Sequence, residues 1–173
     1  MQFFADTKKL VLAALLTTIG VVLNLAEGFF PLTLPVPGAK IGLANIAILL
    51  CLYLLPLQLT AAVFFMRILL TSLLLGTIFS TGFFIGIVGG LLSFFAMLTV
   101  KNHFTVSTVG ISMIGAAAHN TGQVLMASLL IDNFSLLYYL PPALLLAIPA
   151  GLLTGIVAKF GVFTLGKLHV EKY

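Results

Sequence analysis

Apolar runs long enough to cross a bilayer, roughly 20 residues each, follow one another along almost the whole chain, broken mainly by proline, glycine and a few lysines. An ordinary soluble domain is about 25% charged. Here charged residues make up 7% of the 173 positions and the mean hydropathy is +1.26. Water does not solvate such a chain. The fold class it implies is an all-α integral membrane protein with about six transmembrane helices, because that number of spans with short connections uses up the length. Residues 1–173 then form a single transmembrane domain, with no room for a separate catalytic domain.

Run lengths and breakers place the spans near 9–27, 41–55, 57–76, 82–100, 110–131 and 142–163. The second is short: it starts after Pro31, Pro35, Pro37 and Gly38 and stops at Pro56, residues that lack an N–H or relax the backbone. Pro141 and Pro142 suit the first turn of the last span. Lys8 and Lys9 precede the first apolar run as in a signal peptide, but a small-residue cleavage site is lacking and more spans follow, so a retained helix is expected. Cys51, the single cysteine, cannot form a disulfide within the chain and implies no metal cluster.

Orientation follows from lysine placement. With the N-terminus in the cytoplasm, Lys8, Lys9, Lys101, Lys159, Lys167 and Lys172 gather inside and Lys40 alone lies outside, which predicts a multi-pass cell-membrane protein, N-in and C-in. The net charge of +4 sits at segment ends and forms no patch interleaved with aromatics, so nucleic acid is not an expected partner. The lipid bilayer is. Residues 28–40 become the longest outer loop.

Small residues recur every fourth position at Gly82, Gly86 and Gly90, and again at Ala143, Ala147, Gly151 and Gly155. Each set lines one helix face, where close backbone approach lets dispersion contacts accumulate. The simplest expectation is packing within the bundle; docking of another membrane subunit is the alternative.

Polar groups within the spans are the functional pointers, since a central Arg, Lys or Asp costs about 2.5–3.5 kcal/mol on insertion scales unless partnered or wet. Arg67 lies near the middle of the third span. In the fifth, His119 and Gln123 share a face at a spacing of four, with Asn120 beside them. Asn24 and Glu27 end the first span, and Lys40 and Asn45 flank the start of the second. One reading gathers these groups into an outward-facing site, with Lys40 and Arg67 attracting an anion, Phe29 and Phe30 capping it, and the amides and imidazole fixing orientation. The other neutralises Arg67 structurally, through Glu27 or helix carbonyls, and makes the fifth-span groups interhelical hydrogen-bond glue. No nucleophile pattern, metal-ligand pair, phosphate-binding loop or paired carboxylate stands in the sequence, so no catalytic residue, metal ligand or cofactor is assigned. Binding or transport is the better class.

The string Pro37-Gly38-Ala39-Lys40-Ile41-Gly42-Leu43-Ala44-Asn45-Ile46, the Phe65-Met66-Arg67 arginine, and the Ser72–Gly76 and Gly115–Gln123 segments resemble the Gx transporter family, also named heptaprenyl diphosphate synthase component I. That family is similar to the S components of energy-coupling factor transporters, six-helix substrate-binding subunits. The resemblance implies an S-component-like bundle that binds a small-molecule substrate and works with a transmembrane coupling subunit and two ATPases. S components often dock through an AxxxA pattern on the first helix, for which the nearest matches are Ala13 to Thr17 and Ala14 to Thr18. The candidate substrate residues are Glu27, Lys40, Asn45, Arg67, His119, Asn120 and Gln123. The alternative function is a noncatalytic membrane component associated with heptaprenyl diphosphate synthase in polyprenyl or quinone synthesis. Acidic magnesium ligands of a prenyltransferase are not seen.

Overall fold

The computed structural model describes residues 2–29 and 42–170. These fold into six α-helices: α1 (Gln2–Phe29), α2 (Asn45–Leu54), α3 (Leu57–Leu74), α4 (Thr81–His103), α5 (Thr108–Leu130) and α6 (Leu140–Val170), with a 3-10 turn at Phe134–Tyr139 before α6. Among the described residues there is no strand, so the protein is all-α, as its apolar runs predict. Among the described residues four segments are long and apolar enough to cross a membrane: Thr7–Gly28, Leu57–Leu74, Thr81–His103 and Phe134–Gly166.

Serine caps and the prolines marked in the sequence set the breaks. Ser80 and Ser107 each accept a hydrogen bond at 3.2 Å from a backbone N–H three residues on, Phe83 and Gly110, and so begin α4 and α5. Pro56 stands just before α3, and Pro141 and Pro142 fall in the first turn of α6, where a missing N–H costs no helical hydrogen bond.

The expected second span needs correction. α2 has only 10 residues, about 15 Å at 1.5 Å per residue, which is half the hydrocarbon thickness. It does not span alone. Instead it is the centre of the bundle: every residue from Asn45 to Leu52 is buried, and α1, α3, α4, α5 and α6 all touch it. A helix that is apolar all round has no face to give to water or to prefer for lipid, and the middle is its place. The surrounding helices turn leucines and phenylalanines outward, among them Leu15, Phe65, Leu74, Leu153 and Phe160. That surface suits hydrocarbon.

Small residues set the closest approaches. α4 and α5 pack along their lengths, and a Cβ on Gly122 would lie 2.8 Å from the Cα of Gly89. α6 meets α5 through Gly151 and Gly155, where added Cβ atoms would fall 2.6 Å from Cα of Met113 and 2.8 Å from Cα of Val109. The spacing-of-four face on α6 is therefore a packing face within the bundle. At the opposite end of α2 from Asn45, the Lys101 ammonium donates to the Leu52 carbonyl and lies 5.0 Å from the Tyr53 ring centroid. This satisfies a terminal carbonyl that the short helix cannot pair itself.

The two AxxxA-like pairs on α1 separate. Ala13 is buried in the core and Thr17, half-buried, donates its hydroxyl to the Ala13 carbonyl at 2.8 Å, whereas Ala14 and Thr18 are exposed. Of the four expected docking residues, Ala13 is thus spent on internal packing, and Ala14 with Thr18 remain on the surface.

Candidate functional site

A cavity of about 200 Å3 opens at the end of the bundle where α1 and α3 finish and α2 and α4 begin. Four elements of alternating direction therefore contribute their polar ends to one place, and α5 passes behind them. Of the seven expected substrate residues, Glu27, Asn45, Arg67, His119 and Gln123 line it. Lys40 lies outside the described residues, as do the side chain of Phe29 and all of Phe30.

Arg67 is the centre of the arrangement. It is 4% exposed, and its Nε has no hydrogen-bond acceptor among the described residues. Its guanidinium carbon stands 5.8 Å from the Phe64 ring centroid, within the range of a cation–π contact. Its aliphatic stem passes Gly20, whose absent Cβ would sit 2.7 Å from Arg67 Cδ and 3.2 Å from Ala47 Cβ. Helix α1 thus gives up a side chain so that a long cation can reach the cavity between α1 and α2. Buried cations need compensation.

Glu27, 6% exposed, is the acidic group that acts electrostatically on Arg67. Its carboxylate also accepts a 2.5 Å hydrogen bond from the N–H of Gly42. Gly42 has φ of +91°, a conformation that disfavours any residue with a Cβ, and a Cβ there would stand 3.1 Å from Asn45 Nδ2 and 3.6 Å from His119 Cδ2. The carboxylate therefore fixes the approach of the chain to α2 as well as the charge balance of the cavity.

Thr71, one turn on from Arg67 along the same face of α3, and its neighbour Ser72 are both buried and both line the cavity. Thr71 Oγ1 is also without a hydrogen-bond partner among the described residues. Neither residue is among the candidates read from the sequence, although extending the helical period from Arg67 finds Thr71. Gly20 has no such signal, because only the packing of α1 against α3 gives it meaning.

Asn45 donates to Ser93 Oγ at 3.3 Å, linking α2 to α4. His119 and Gln123 reach the cavity because Gly89 on α4 gives way: a Cβ there would fall 2.7 Å from Gln123 Cγ and 3.3 Å from His119 Cε1. Asn120 departs from the expected site. The rotation of α5 turns it toward α6, where its Nδ2 donates to the Ala143 carbonyl at 2.8 Å, and it does not line the cavity. It is hydrogen-bond glue.

The second correction concerns α4. Gly90 packs on the Phe64 ring, but Gly86 has no atom within 4 Å of its would-be Cβ and Gly82 has only the Ser80 hydroxyl at 3.8 Å. Both line the cavity. Their smallness makes room and does not bring helices together.

Among the described residues no three His, Cys, Asp or Glu side chains group as metal ligands. The arrangement offers instead a guanidinium fork, hydroxyls and amides, the donors with which proteins hold carboxylates and phosphates. Fold and site together define a small polytopic helical membrane protein with a polar, arginine-bearing cavity at one end. The chain belongs to the heptaprenyl diphosphate synthase component I family, whose profile matches residues 16–161. No curated protein and no solved structure matches it.

Proposed function

We propose that this protein is a noncatalytic membrane subunit that holds a small anionic molecule in the cavity around Arg67. The observation supporting this is the buried guanidinium whose Nε lacks an acceptor among the described residues, beside a buried Thr71 hydroxyl that has no partner among them either. A carboxylate or phosphate supplies the acceptors that both groups need, and does so where low polarity strengthens each bond.

The family's name supports one setting for this binding: a membrane component that works with a prenyl-transferring enzyme in heptaprenyl diphosphate synthesis. The second setting is an importer of the energy-coupling factor type, in which the chain captures its ligand for a coupling subunit and two ATPases. Supporting it are the six helices, the cavity at the end that the lysine asymmetry makes outer, and the exposed Ala14 and Thr18 on α1. In both settings the protein sits in the cell membrane with both termini in the cytoplasm.

Gentle purification followed by native mass spectrometry tests the binding. A co-purified anionic molecule is expected with the wild type. Lysine keeps the charge but loses the planar fork, so Arg67→Lys should weaken binding by about 1.5–3 kcal/mol, the range for hydrogen bonds to charged groups, and Arg67→Gln by more. Wild-type affinity in both variants, with lowered thermal stability, would make Arg67 a structural charge. Pull-down separates the settings: a soluble prenyltransferase whose product yield rises with this chain points to the synthase, and ATPases with ATP-dependent uptake point to the importer.

A further inference from the structure

The cavity is too small to enclose a long molecule. Its volume of about 200 Å3 falls below the roughly 300–1,000 Å3 of pockets that enclose drug-sized ligands. A phosphate or a small carboxylate fills it.

The wall between α3 and α4 is where the cavity is weakest. These two helices touch only sparsely, in contrast to α4 and α5. Gly82 and Gly86 face the cavity at this seam, with open space where side chains would stand. The rim beside them carries exposed apolar side chains next to the polar Thr77 and Ser80. Leu75 lines the cavity while 51% exposed, and Phe79, 77% exposed, lays its ring edge-on to Phe83 with centroids 5.8 Å apart. Phe79 holds this place at φ of +61°, a left-handed conformation unfavourable for a bulky residue. Leucine and phenylalanine at this exposure suit contact with hydrocarbon.

Resting on the anion-binding reading above, we infer that the α3–α4 seam is a lateral opening to the bilayer, through which the hydrocarbon chain of an amphiphilic anion leaves the cavity while its head stays at Arg67. The ligand class is a phosphate or diphosphate ester bearing an alkyl or prenyl chain, either free or as a membrane lipid. Its head meets the buried guanidinium and Thr71. Its chain crosses the space left by Gly82 and Gly86 and lies among lipid tails.

The test compares inorganic phosphate with dodecyl phosphate on full-length protein in phosphatidylcholine nanodiscs, reading affinity from the thermal shift and correcting for uptake into protein-free discs. In the wild type, dodecyl phosphate should bind at least about tenfold more tightly than inorganic phosphate, a gain that fewer than two methylenes removed from water supply. Gly86→Phe, and separately Gly82→Phe, should abolish most of that ratio by filling the seam. The substituted side chains have space, and the melting temperature of each variant reports whether it folds. A wild-type ratio in both folded variants, or equal binding of the two phosphates by the wild type, overturns the opening. If no phosphate of either kind binds and Arg67→Gln behaves as the wild type, the anion site itself fails, and the opening with it. Adding phosphatidylglycerol to the discs distinguishes the sources: displacement of dodecyl phosphate identifies a membrane lipid as occupant, and retention identifies a free amphiphile, each through the same opening.

Discussion

Gly20 on α1 and Arg67 on α3 share one space: the Cβ that Gly20 lacks would lie 2.7 Å from Arg67 Cδ. The charge of the site therefore depends on a residue that carries no functional group. Gly20→Val should push the Arg67 stem out of its path and weaken anion binding, with an overpacking loss of about 1–3 kcal/mol in stability. Gly20→Ala should do the same more mildly, because a flexible stem yields to one methyl. Thermal unfolding and anion affinity measured together check this; unchanged affinity with lowered stability would separate Gly20 from the site.

At the other end of the bundle, Lys101 serves the fold alone. Its ammonium donates to the Leu52 carbonyl at the end of α2 and lies over the Tyr53 ring, remote from the cavity. Lys101→Met leaves that carbonyl unsatisfied, a loss of about 1–3 kcal/mol for a buried acceptor. Unfolding temperature should fall while anion affinity stays at the wild-type value. An equal loss of both would mean that α2 transmits a disturbance along its whole length to Asn45.

Much of this was legible in the residues, and what was not has physical causes. Long apolar runs and their proline breaks dictate helices, and Glu27, Asn45, Arg67, His119 and Gln123 converge because polar groups in lipid must find one another or a cavity. The shortness of α2 was visible in Pro37 and Pro56, but its central position is a property of five neighbours. Spacing alone put Gly82 and Gly86 with Gly90 on one face, yet it does not say whether that face meets a helix or a cavity. Asn120 illustrates the same limit: adjacent to His119 in sequence, it lies about 100° around the helix and reaches α6.

Orientation is checked by labelling. Lysine asymmetry predicts that the turn before α6 is outside and the α4–α5 connection inside. Ser135 and Thr105 are exposed in these two connections, and Cys51 is fully buried, so the native thiol gives little background. Ser135→Cys should react with a membrane-impermeant maleimide in sealed right-side-out vesicles, and Thr105→Cys only after permeabilisation. The reverse pattern would move the cavity to the cytoplasmic side and remove the importer setting. A third position expected outside, Thr33, lies outside the described residues.

Asn120 and Gln123 make the sharpest division between fold and site, since both are buried amides on α5 separated by less than one turn. Asn120 Nδ2 donates to the Ala143 carbonyl and ties α5 to α6. Asn120→Ala removes the hydrogen bond between α5 and α6 while the Ala143 carbonyl keeps its place in the helix, so stability should drop by about 0.5–1.5 kcal/mol while the cavity keeps its lining. Gln123 lines the cavity, with its stem against Gly89. Gln123→Ala should weaken anion binding by about 0.5–1.5 kcal/mol, the net worth of one hydrogen bond, beyond any change in stability. Gln123→Glu should weaken it further, because a carboxylate there would repel the ligand that Arg67 attracts. Affinity and unfolding measured on all three variants give a pattern that a purely structural α5 does not produce: Asn120→Ala lowers stability without affinity, and Gln123→Glu lowers affinity most. Should Gln123→Glu bind the anion as well as the wild type, the bound head lies elsewhere on the α3 face, toward Thr71 and Ser72.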